Sequence, residues 1–401
     1  MAKDLIPSPT PLTPPHHEED WFDWLRLLRS RRVGPSTFHR LLAEHGSAKA
    51  ALQELPAIAR AAGVKNYEIC SEEQVRAELR AGKLAGARLL FIGNRDYPDI
   101  LASLPDAPPI LWTLGDTALL RRPLLALVGA RNASSLGTRM ARKLAKDLSA
   151  AGIAIVSGLA RGIDTAAHMG ALDGGTVAVM AGGVDVIYPA ENATLAQEIA
   201  EKGLRISEQP MGLRPIARHF PQRNRIVSGL CRGVVVIEAA ARSGSLITAR
   251  AALDQGREVL AVPGHPFDGR ATGCNHLIRD GATLVRGSDD VIEALGHRPT
   301  PNQELPPAEE LALTHEPSTA RTPAEPDVAK MPSNRRATSD LRVAANLHRD
   351  ILNRLSPSPI SEDQLIRDLN VRSPELAPAL LNLELEGKIT RQPGGMLSKA
   401  V

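Results

Sequence analysis

The amino-acid sequence predicts an α/β protein with a small helical domain before the central sheet and a three-helix domain with a hairpin after it. Between residues 89 and 296, short uninterrupted apolar segments alternate with amphipathic helical segments. The segments on either side have helical periodicity without such strands. With 401 residues, the chain is long enough for two to four domains of ~100–200 residues each.

Apolar residues at helical spacing predict a domain of short helices over residues 21–88. Trp21 and Trp24 begin this pattern, and the glycine and proline at 34–35 interrupt it. The unit could be a helix–hairpin–helix DNA clamp, but Arg32 stands where the first glycine of such a turn is usual. The sequence therefore favours a packing or protein-contact domain. The Pro- and His-containing residues 1–20 are expected to form a disordered tail.

The central region, residues 89–296, is predicted to be an extended parallel sheet of the Rossmann-like kind. Strands that are apolar on both faces and alternate with helices indicate a parallel sheet covered on both sides. Such sheets bind ligands at the carboxyl ends of their strands. The predicted strands are 124–128, 153–156, 176–180, 233–237 and 258–262, and the predicted helices include 137–150, 165–172 and 195–202.

The last third of the chain divides into a linker and a small domain. Residues 297–338 contain eight prolines and no apolar periodicity, so a Pro-rich linker is expected there. Residues 339–401 predict three helices, the second capped by Ser361, and then a hairpin with a Gly-Gly turn. This is the winged-helix plan. Because its acidic and basic residues nearly balance, a protein-contact role is favoured over duplex recognition.

Charge and motif content exclude several classes of protein. The net charge of +3 excludes a polycation that holds nucleic acid by bulk charge, so any such binding must come from local clusters. Phosphate-loop, metalloprotease and nucleophile-elbow motifs are absent, and so is an apolar run of ~18 residues. Three widely separated cysteines offer no disulfide framework. We therefore predict a cytoplasmic protein with no membrane span, catalytic residue, cofactor or metal.

Small residues and arginines concentrate where the predicted strands end. The first strand is followed by Arg131 and by the small residues 134, 135 and 137, which are typical of a phosphate-binding helix start. Small residues at two further strand ends would expose backbone amides beside it. Together the three ends predict a ledge of hydrogen-bond donors. The candidates at the two further ends are Ser157, Gly158, Arg161, Gly162, Ser243, Gly244 and Ser245.

The strongest local feature is a basic segment that contains one aromatic ring. Between residues 205 and 232, six arginines stand against a single glutamate. Phe220 lies among them, and in a single-stranded DNA site the arginines would hold phosphates while the ring stacks on a base. In the alternative, Phe220 fills the core and the arginines pair with carboxylates elsewhere. The local charge favours the DNA site, with candidates Arg218, Phe220, Arg223, Asn224 and Arg225.

From residue 128 to 282 the sequence closely resembles the bacterial DNA-processing protein A (DprA/Smf) family. The segments that carry this resemblance are VGAR at 128–131, SGLARGIDTAAH at 157–168, FPQRNRI at 220–226, SGSLITA at 243–249 and GCNHLI at 273–278. The front and tail also look like the family's sterile-alpha-motif-like and winged-helix domains. Where the family usually has Ser and Tyr, this chain has Ala130 and Leu136. These two changes remove one hydroxyl contact and one ring.

The resemblance implies a single-stranded DNA-binding protein without known catalysis. Members of the family protect incoming DNA during natural transformation, help to load the RecA recombinase, and work as homodimers through the Rossmann-like domain. The residues at the positions of Arg131 and Phe220 contact DNA in that family. The alternative is a nucleotide-processing enzyme related to the lysine-decarboxylase-like phosphohydrolases. That enzyme would need a P-G-G-x-G-T signature where this chain has SGSLIT at 243–248.

Overall fold

The computed structural model describes residues 15, 18–296, 337–392 and 396–400. These residues form two compact units, one before and one after the predicted linker. The linker at 297–338 and most of the predicted tail at 1–20 lie outside the described residues. Two predicted boundaries differ from the structure. The first helix begins at Glu18, inside the predicted tail, and the first helix of the second unit begins at Ala337, inside the predicted linker.

Four helices open the first unit. Ser47 caps the third helix by accepting the Ala50 amide at 3.2 Å, and Ser71 begins the fourth with a capping box. Arg32, in the turn after the first helix, has a φ of 65°, a value that glycine adopts most easily. The fourth helix lies within the helical domain predicted over residues 21–88. The helices are α1 (Glu18–Arg29), α2 (Pro35–His45), α3 (Ala48–Ala61) and α4 (Glu72–Leu84).

These helices share a hydrophobic core with the sheet that follows. The ring of Trp24 lies 5.1 Å from the ring of Phe38 and 6.0 Å from that of Phe91, which belongs to the first strand. Arg29 donates to the Glu78 carboxylate at 2.8 Å and to the Glu208 carbonyl at 3.2 Å. The helical segment therefore packs against the sheet as part of the same unit.

The sheet has nine strands in the order β1-β2-β6-β5-β4-β3-β7-β8-β9. All five predicted strands are present, and β3 to β9 form one parallel array. The first two strands, which were not predicted, pair antiparallel at one edge. The strands are β1 (Arg88–Phe91), β2 (Ile110–Gly115), β3 (Leu124–Gly129), β4 (Ala154–Ser157), β5 (Thr176–Val179), β6 (Leu204–Ser207), β7 (Gly233–Ile237), β8 (Glu258–Ala261) and β9 (Thr283–Leu284).

Helices cover both faces of the sheet, as strands apolar on both sides require. In β3, Leu125 and Leu127 belong to one hydrophobic cluster, whereas Ala126 and Val128 belong to the other. The helices of the sheet are α5 (Asp99–Ala102), α6 (Ser135–Ala150), α7 (Ile163–Ala171), α8 (Ala193–Lys202), α9 (His219–Gly229), α10 (Gly244–Asp254), α11 (Thr272–Arg279) and α12 (Ser288–Ala294). The Rossmann-like α/β class predicted from the sequence is confirmed.

The strand order reverses next to β3. From β3 the chain continues through β4, β5 and β6 on one side, and then returns to β7 on the other side. In open α/β sheets the crevice at such a reversal, outside the carboxyl ends of the strands, is the usual ligand site. Here that crevice lies between the loops that follow β3 and β7.

The second unit is a winged helix, as predicted. Its helices pack around Ile351, Leu365, Leu380 and Ile389, all of which are buried. Ser361 accepts the Gln364 amide at 3.3 Å, so it caps the second helix as expected. The predicted Gly-Gly turn lies outside the described residues. The elements are α13 (Ala337–Arg354), β10 (Ile360–Ser361), α14 (Glu362–Leu369), α15 (Ser373–Leu385), β11 (Ile389–Gln392) and β12 (Met396–Lys399). In the described part of the chain, no helix has the length and apolarity needed to cross a membrane.

Candidate nucleic-acid interface

The basic segment with its aromatic ring forms the beginning of α9 rather than a loop. Helical geometry places Phe220, Arg223 and Asn224 on one face, because residues three and four apart are neighbours on a helix. Arg225 follows one step further around the helix and points toward different partners. The helix therefore separates the two arginines, which the sequence alone had grouped as one source of charge.

Phe220 lies at the carboxyl edge of the sheet with a cation on one side and a second ring on another. The guanidinium carbon of Arg131 is 5.3 Å from the centre of the Phe220 ring. Tyr188, in the loop after β5, has its ring centre 5.7 Å from that of Phe220 and is 52% exposed. Phe220 itself is half-buried and lines a small pocket together with Gly158 and Pro215. The ring is half-buried rather than enclosed in the core, so the alternative interpretation does not hold for Phe220 itself.

The loop that presents Arg131 is fixed by the start of α7. The Ile163 amide donates to the Ala130 carbonyl at 3.1 Å. Gly162 has a φ of 80°, and a Cβ atom there would overlap the carbonyl oxygens of Ala130 and Arg131. Glycine at 162 therefore allows two loops to pack closely, with the Arg131 side chain exposed above them.

Arg223 is a correction to the sequence prediction. Its side chain is only 6% exposed and donates to the Val179 carbonyl at 2.7 Å, so it holds the helix to the end of β5. A Cβ atom at Gly158 would overlap the Arg223 guanidinium. Burial lowers the pKa of Arg223, and the nearby Asp164 carboxylate opposes that shift. A side chain enclosed in this way supports the site from below and does not face a ligand.

Ser157 and the Gly158 amide are also used internally. The Ser157 hydroxyl donates to the Leu127 carbonyl at 2.6 Å and is fully buried. The Gly158 amide donates to the Asp164 carboxylate at 3.1 Å. Burial raises the pKa of Asp164, whereas the Arg223 cation and the Gly158 amide lower it. The expected donor ledge is therefore incomplete at the end of β4.

Arg225 is a further correction, because carboxylates already pair with it. It contacts the Glu208 carboxylate, and its Nε lies 3.4 Å from an Asp106 carboxylate oxygen. Burial raises the pKa of Glu208, and the cations of Arg225 and Arg29 lower it. The sequence prediction had Arg225 supply free charge to the DNA. A side chain that already pairs with two carboxylates does not supply it.

The crevice at the strand reversal is filled by the protein's own carboxylate. Glu238, directly after β7, accepts the Ser134 amide at 2.8 Å and also the Ser134 hydroxyl. These donors belong to the start of α6, where a negative group is favoured by the helix dipole. A Cβ atom at Gly137 would overlap the same carboxylate. The phosphate cradle predicted at residues 134, 135 and 137 is thus occupied, and the accessible groups lie to one side of it.

The remaining candidates divide by exposure. Arg218 is exposed, and Arg161 is exposed with a distant partner, its guanidinium 3.9 Å from Glu191. Asn224 is half-buried. At the start of α10, the Ser243 hydroxyl pairs with that of Ser245 at 2.7 Å. Gly244 beside them is exposed, with open space where a Cβ would lie.

One titratable group near the site, His168, is enclosed in the structure. His168 is fully buried with its Nδ1 2.7 Å from the Thr176 hydroxyl, and burial lowers its pKa to about 3. Within the described ranges, no group of three or more His, Cys, Asp or Glu side chains is arranged to hold a metal ion.

Tyr188 is the neighbour of Phe220 that sequence reasoning left unassigned. The available signal was its position after a predicted strand, in a chain that has only three tyrosines.

Three family models match the chain in sequence order. Residues 88–296 match the family described as DNA recombination-mediator protein A. Residues 18–81 match a DprA-like N-terminal HHH domain, and residues 334–395 match a DprA winged helix domain. The central match alone covers about half of the 401 residues.

Individual proteins agree with the family models. The DNA processing protein DprA of Bacillus subtilis is 40% identical over 242 residues, which cover 60% of this chain and 82% of that protein. Its Streptococcus pneumoniae counterpart is 48% identical over 198 residues, covering 49% and 70%. A crystal structure of DprA from Streptococcus pneumoniae superposes with a TM-score of 0.54 at 35% identity, covering 68% of this chain and 92% of that one.

Proposed function

Because the chain belongs to the DNA recombination-mediator protein A family, also called DprA or Smf, we propose that it binds single-stranded DNA at the edge formed by Arg131, Tyr188 and Phe220. The resemblance noted in the sequence is confirmed at the level of the family, whose members process DNA in recombination. The proposal concerns the ligand and the residues that bind it.

The observation that carries the proposal is the exposed cation beside an accessible ring. A single strand presents both a phosphate and an unstacked base, whereas a duplex keeps its bases stacked inside. In this proposal Arg131 binds a phosphate while the Phe220 ring, next to it in the structure, stacks on the adjoining base. Every base has a flat face, so such a site binds without strong sequence preference.

Neighbouring groups extend this site along the same edge. The exposed Arg161 and Arg218 supply positive charge, and the amides near Gly162 and Gly244 lie at strand ends where a backbone phosphate could approach. Tyr188 offers a second ring next to Phe220. Asn224, on the Phe220 face of α9, is available to a base edge.

We extend the proposal to the biological role and to the partners. A recombination mediator acts on single strands before strand exchange, and membership in this family supports protection of incoming DNA and loading of the RecA recombinase. We also infer a homodimer through the Rossmann-like domain and a protein that binds DNA without catalysing a reaction. Co-sedimentation with RecA on single-stranded DNA tests the partner, and sedimentation of the chain alone tests the dimer.

The binding proposal is tested with a fluorescent oligo(dT) of about 20 nucleotides and the full chain. We expect tight binding. The logarithm of the affinity should fall as the logarithm of the salt concentration rises, with a slope of about −0.7 for each phosphate contacted. Duplex DNA should compete weakly, and thymidine monophosphate should compete far less well than the oligonucleotide. A mononucleotide that binds as tightly as the oligonucleotide and is hydrolysed would contradict the proposal and favour the nucleotide-processing enzyme.

A further inference from the structure

A further aromatic side chain, away from Phe220 and Tyr188, is exposed at the same edge of the sheet. Phe267 is 74% exposed, in the loop between β8 and α11. The chain has five phenylalanines, and at least two of the others, Phe38 and Phe91, are buried. Exposing a phenylalanine to this extent forgoes hydrophobic stabilisation of about 1.5–3 kcal/mol.

The loop that carries Phe267 is ordered by hydrogen bonds within it and to helix α11. The Asn275 side chain grips the backbone of Gly264, accepting its amide at 3.2 Å and donating to its carbonyl at 3.1 Å. Asp268 pairs with Arg270 at 3.0 Å, and the Asp268 amide donates to the His265 carbonyl at 2.9 Å. A ring on an ordered loop loses little conformational entropy when a flat ligand stacks on it.

The position of this loop continues the candidate interface. β8 is three strands from β4 and four from β5 in the parallel array, about 14 to 19 Å at the usual spacing of about 4.8 Å. That distance corresponds to about four to six nucleotides at the 3.4 Å rise of a stacked strand. Between the two rings lie the loops after β3 and β7, which carry the exposed side chains of Arg131 and Arg242.

The charge along this path suits a polyanion. The acidic side chain of the loop after β7, Glu238, is bonded to Ser134, and Asp268 beside Phe267 is paired with Arg270. The His265 ring lies 5.7 Å from the Phe267 ring and adds a second flat surface. The path therefore presents cations and rings, while the Glu238 carboxylate is hydrogen-bonded to Ser134 and Asp268 is paired with Arg270.

We propose that Phe267, with His265 beside it, is a second base-stacking subsite for the same single DNA strand. This inference rests on the proposed function, since it concerns the course of the strand beyond Arg131 and Phe220. The strand contacts Phe220 at the ends of β4 and β5, crosses the loops after β3 and β7, and stacks again at the end of β8. A ligand of only a few nucleotides occupies the first position and does not reach the second.

The test compares two lengths of oligo(dT), about 20 and about two nucleotides, on the full chain. Phe267→Ala should weaken binding of the long oligonucleotide by about five- to tenfold, with an unchanged salt slope, and leave the short one unaffected. Phe267→Trp should restore the affinity, because it keeps a flat ring. Leu84→Ala, at a position that is 89% exposed on α4, is the matched control for removing exposed apolar surface.

Ultraviolet crosslinking of the long oligonucleotide followed by mass spectrometry gives an independent readout. The peptide that contains Phe267 should carry crosslinked thymidine. Full affinity of Phe267→Ala for the long strand overturns the subsite, and so does an equal loss for both lengths. A change in the sedimenting mass of Phe267→Ala at constant DNA affinity would assign the ring to a second copy of the chain instead. Failure of the wild-type chain to bind either length would overturn the proposed function itself.

Discussion

The Arg131 guanidinium lies over the Phe220 ring, with 5.3 Å between its central carbon and the ring centre. The two residues come from different crossovers of the sheet, one following β3 and the other beginning α9. A guanidinium over an aromatic face is attracted to the ring, by about 0.5–1 kcal/mol when exposed. The contact favours this arrangement of the two side chains, which reduces the ordering that a ligand would have to impose.

Removal of the Arg131 charge should weaken oligo(dT) binding and reduce its salt dependence. We expect the slope of log affinity against log salt to fall by about 0.7 in Arg131→Ala, the value of one phosphate on a single strand. The measurement is a salt titration by fluorescence anisotropy. Arg232→Ala is the control, since Arg232 is exposed at the amino end of β7, on the opposite edge of the sheet. An unchanged slope in Arg131→Ala would remove this residue from the interface.

Substitution of Phe220 should weaken binding without altering the salt slope. Phe220→Leu keeps most of the apolar volume beside Tyr188 but removes the flat face, and we expect a loss of about 1–3 kcal/mol in binding free energy. The same titration measures affinity and slope together. Combining it with Arg131→Ala should give less than the sum of the single losses, because each change also removes the contact between the two. Strict additivity would indicate that the two groups act independently.

Gly158 should be required for stability rather than for an exposed amide. In Gly158→Ala the new methyl group overlaps the buried Arg223 guanidinium, and we expect a loss of about 1–3 kcal/mol in the free energy of unfolding. Urea denaturation measures the change. Gly244→Ala serves as the control, because open space surrounds that position, and its stability should stay within about 1 kcal/mol of wild type. Equal stability of the two variants would contradict the role given to Arg223.

Loss of the Glu238 carboxylate should open an anion site at the start of α6. Glu238→Ala leaves the Ser134 amide without its acceptor, so the free energy of unfolding should fall by about 1.5–3 kcal/mol. Inorganic phosphate should then stabilise the variant more than the wild-type protein, because an anion is favoured at a helix N-terminus. Thermal denaturation with increasing phosphate measures the effect. Identical phosphate responses would show that the vacated position does not bind anions.

Buried His168 should make the protein less stable as the pH falls. Its pKa is lowered to about 3 in the folded state from 6.5, so below about pH 6.5 the unfolded chain binds a proton that the folded protein does not. Stability should then decrease by up to about 1.4 kcal/mol per pH unit from this residue. Unfolding free energies at about pH 7.5 and 5.5 for wild type and His168→Asn test this. The variant should lack that part of the slope, and parallel profiles would contradict the prediction.

The sequence predicted the fold well where each element has a strong local signal. Strands such as 124–128 are apolar on both faces, and they appear in the structure with small changes at their ends. The strands β1, β2, β6 and β9 of the sheet were not predicted. In β6 a charged residue, Arg205, interrupts the apolar pattern, and its place in the sheet depends on pairing with distant segments. Such pairing has no signature in the local sequence.

The site was predicted less completely, because side-chain partners distant in sequence decide which charges remain free. Arg131 and Phe220 could be singled out from their neighbours, and the structure brings them together. Arg223 and Arg225 have the same local context as Phe220. They are enclosed because Val179, Asp164 and Glu208 come from other parts of the chain. The helical periodicity of residues 219–229 would have separated the two arginines, had that segment been recognised as a helix.

The link from Arg29 to Glu78 and Glu208 has a consequence for how the molecule can be divided. The family models end one domain at residue 81 and begin the next at residue 88. In the structure the two segments form one hydrophobic core across this boundary, since Trp24 contacts Phe91 and Arg29 bonds to Glu78 and Glu208. Glu208 in turn grips Arg225 on the helix that bears Phe220. Cutting the chain at that boundary would expose the hydrophobic surface at which Trp24 meets Phe91. It would also leave the Glu208 carboxylate without Arg29, one of its two neighbouring cations. The front helices are thus linked, through Arg29 and Glu208, to the helix that carries Phe220.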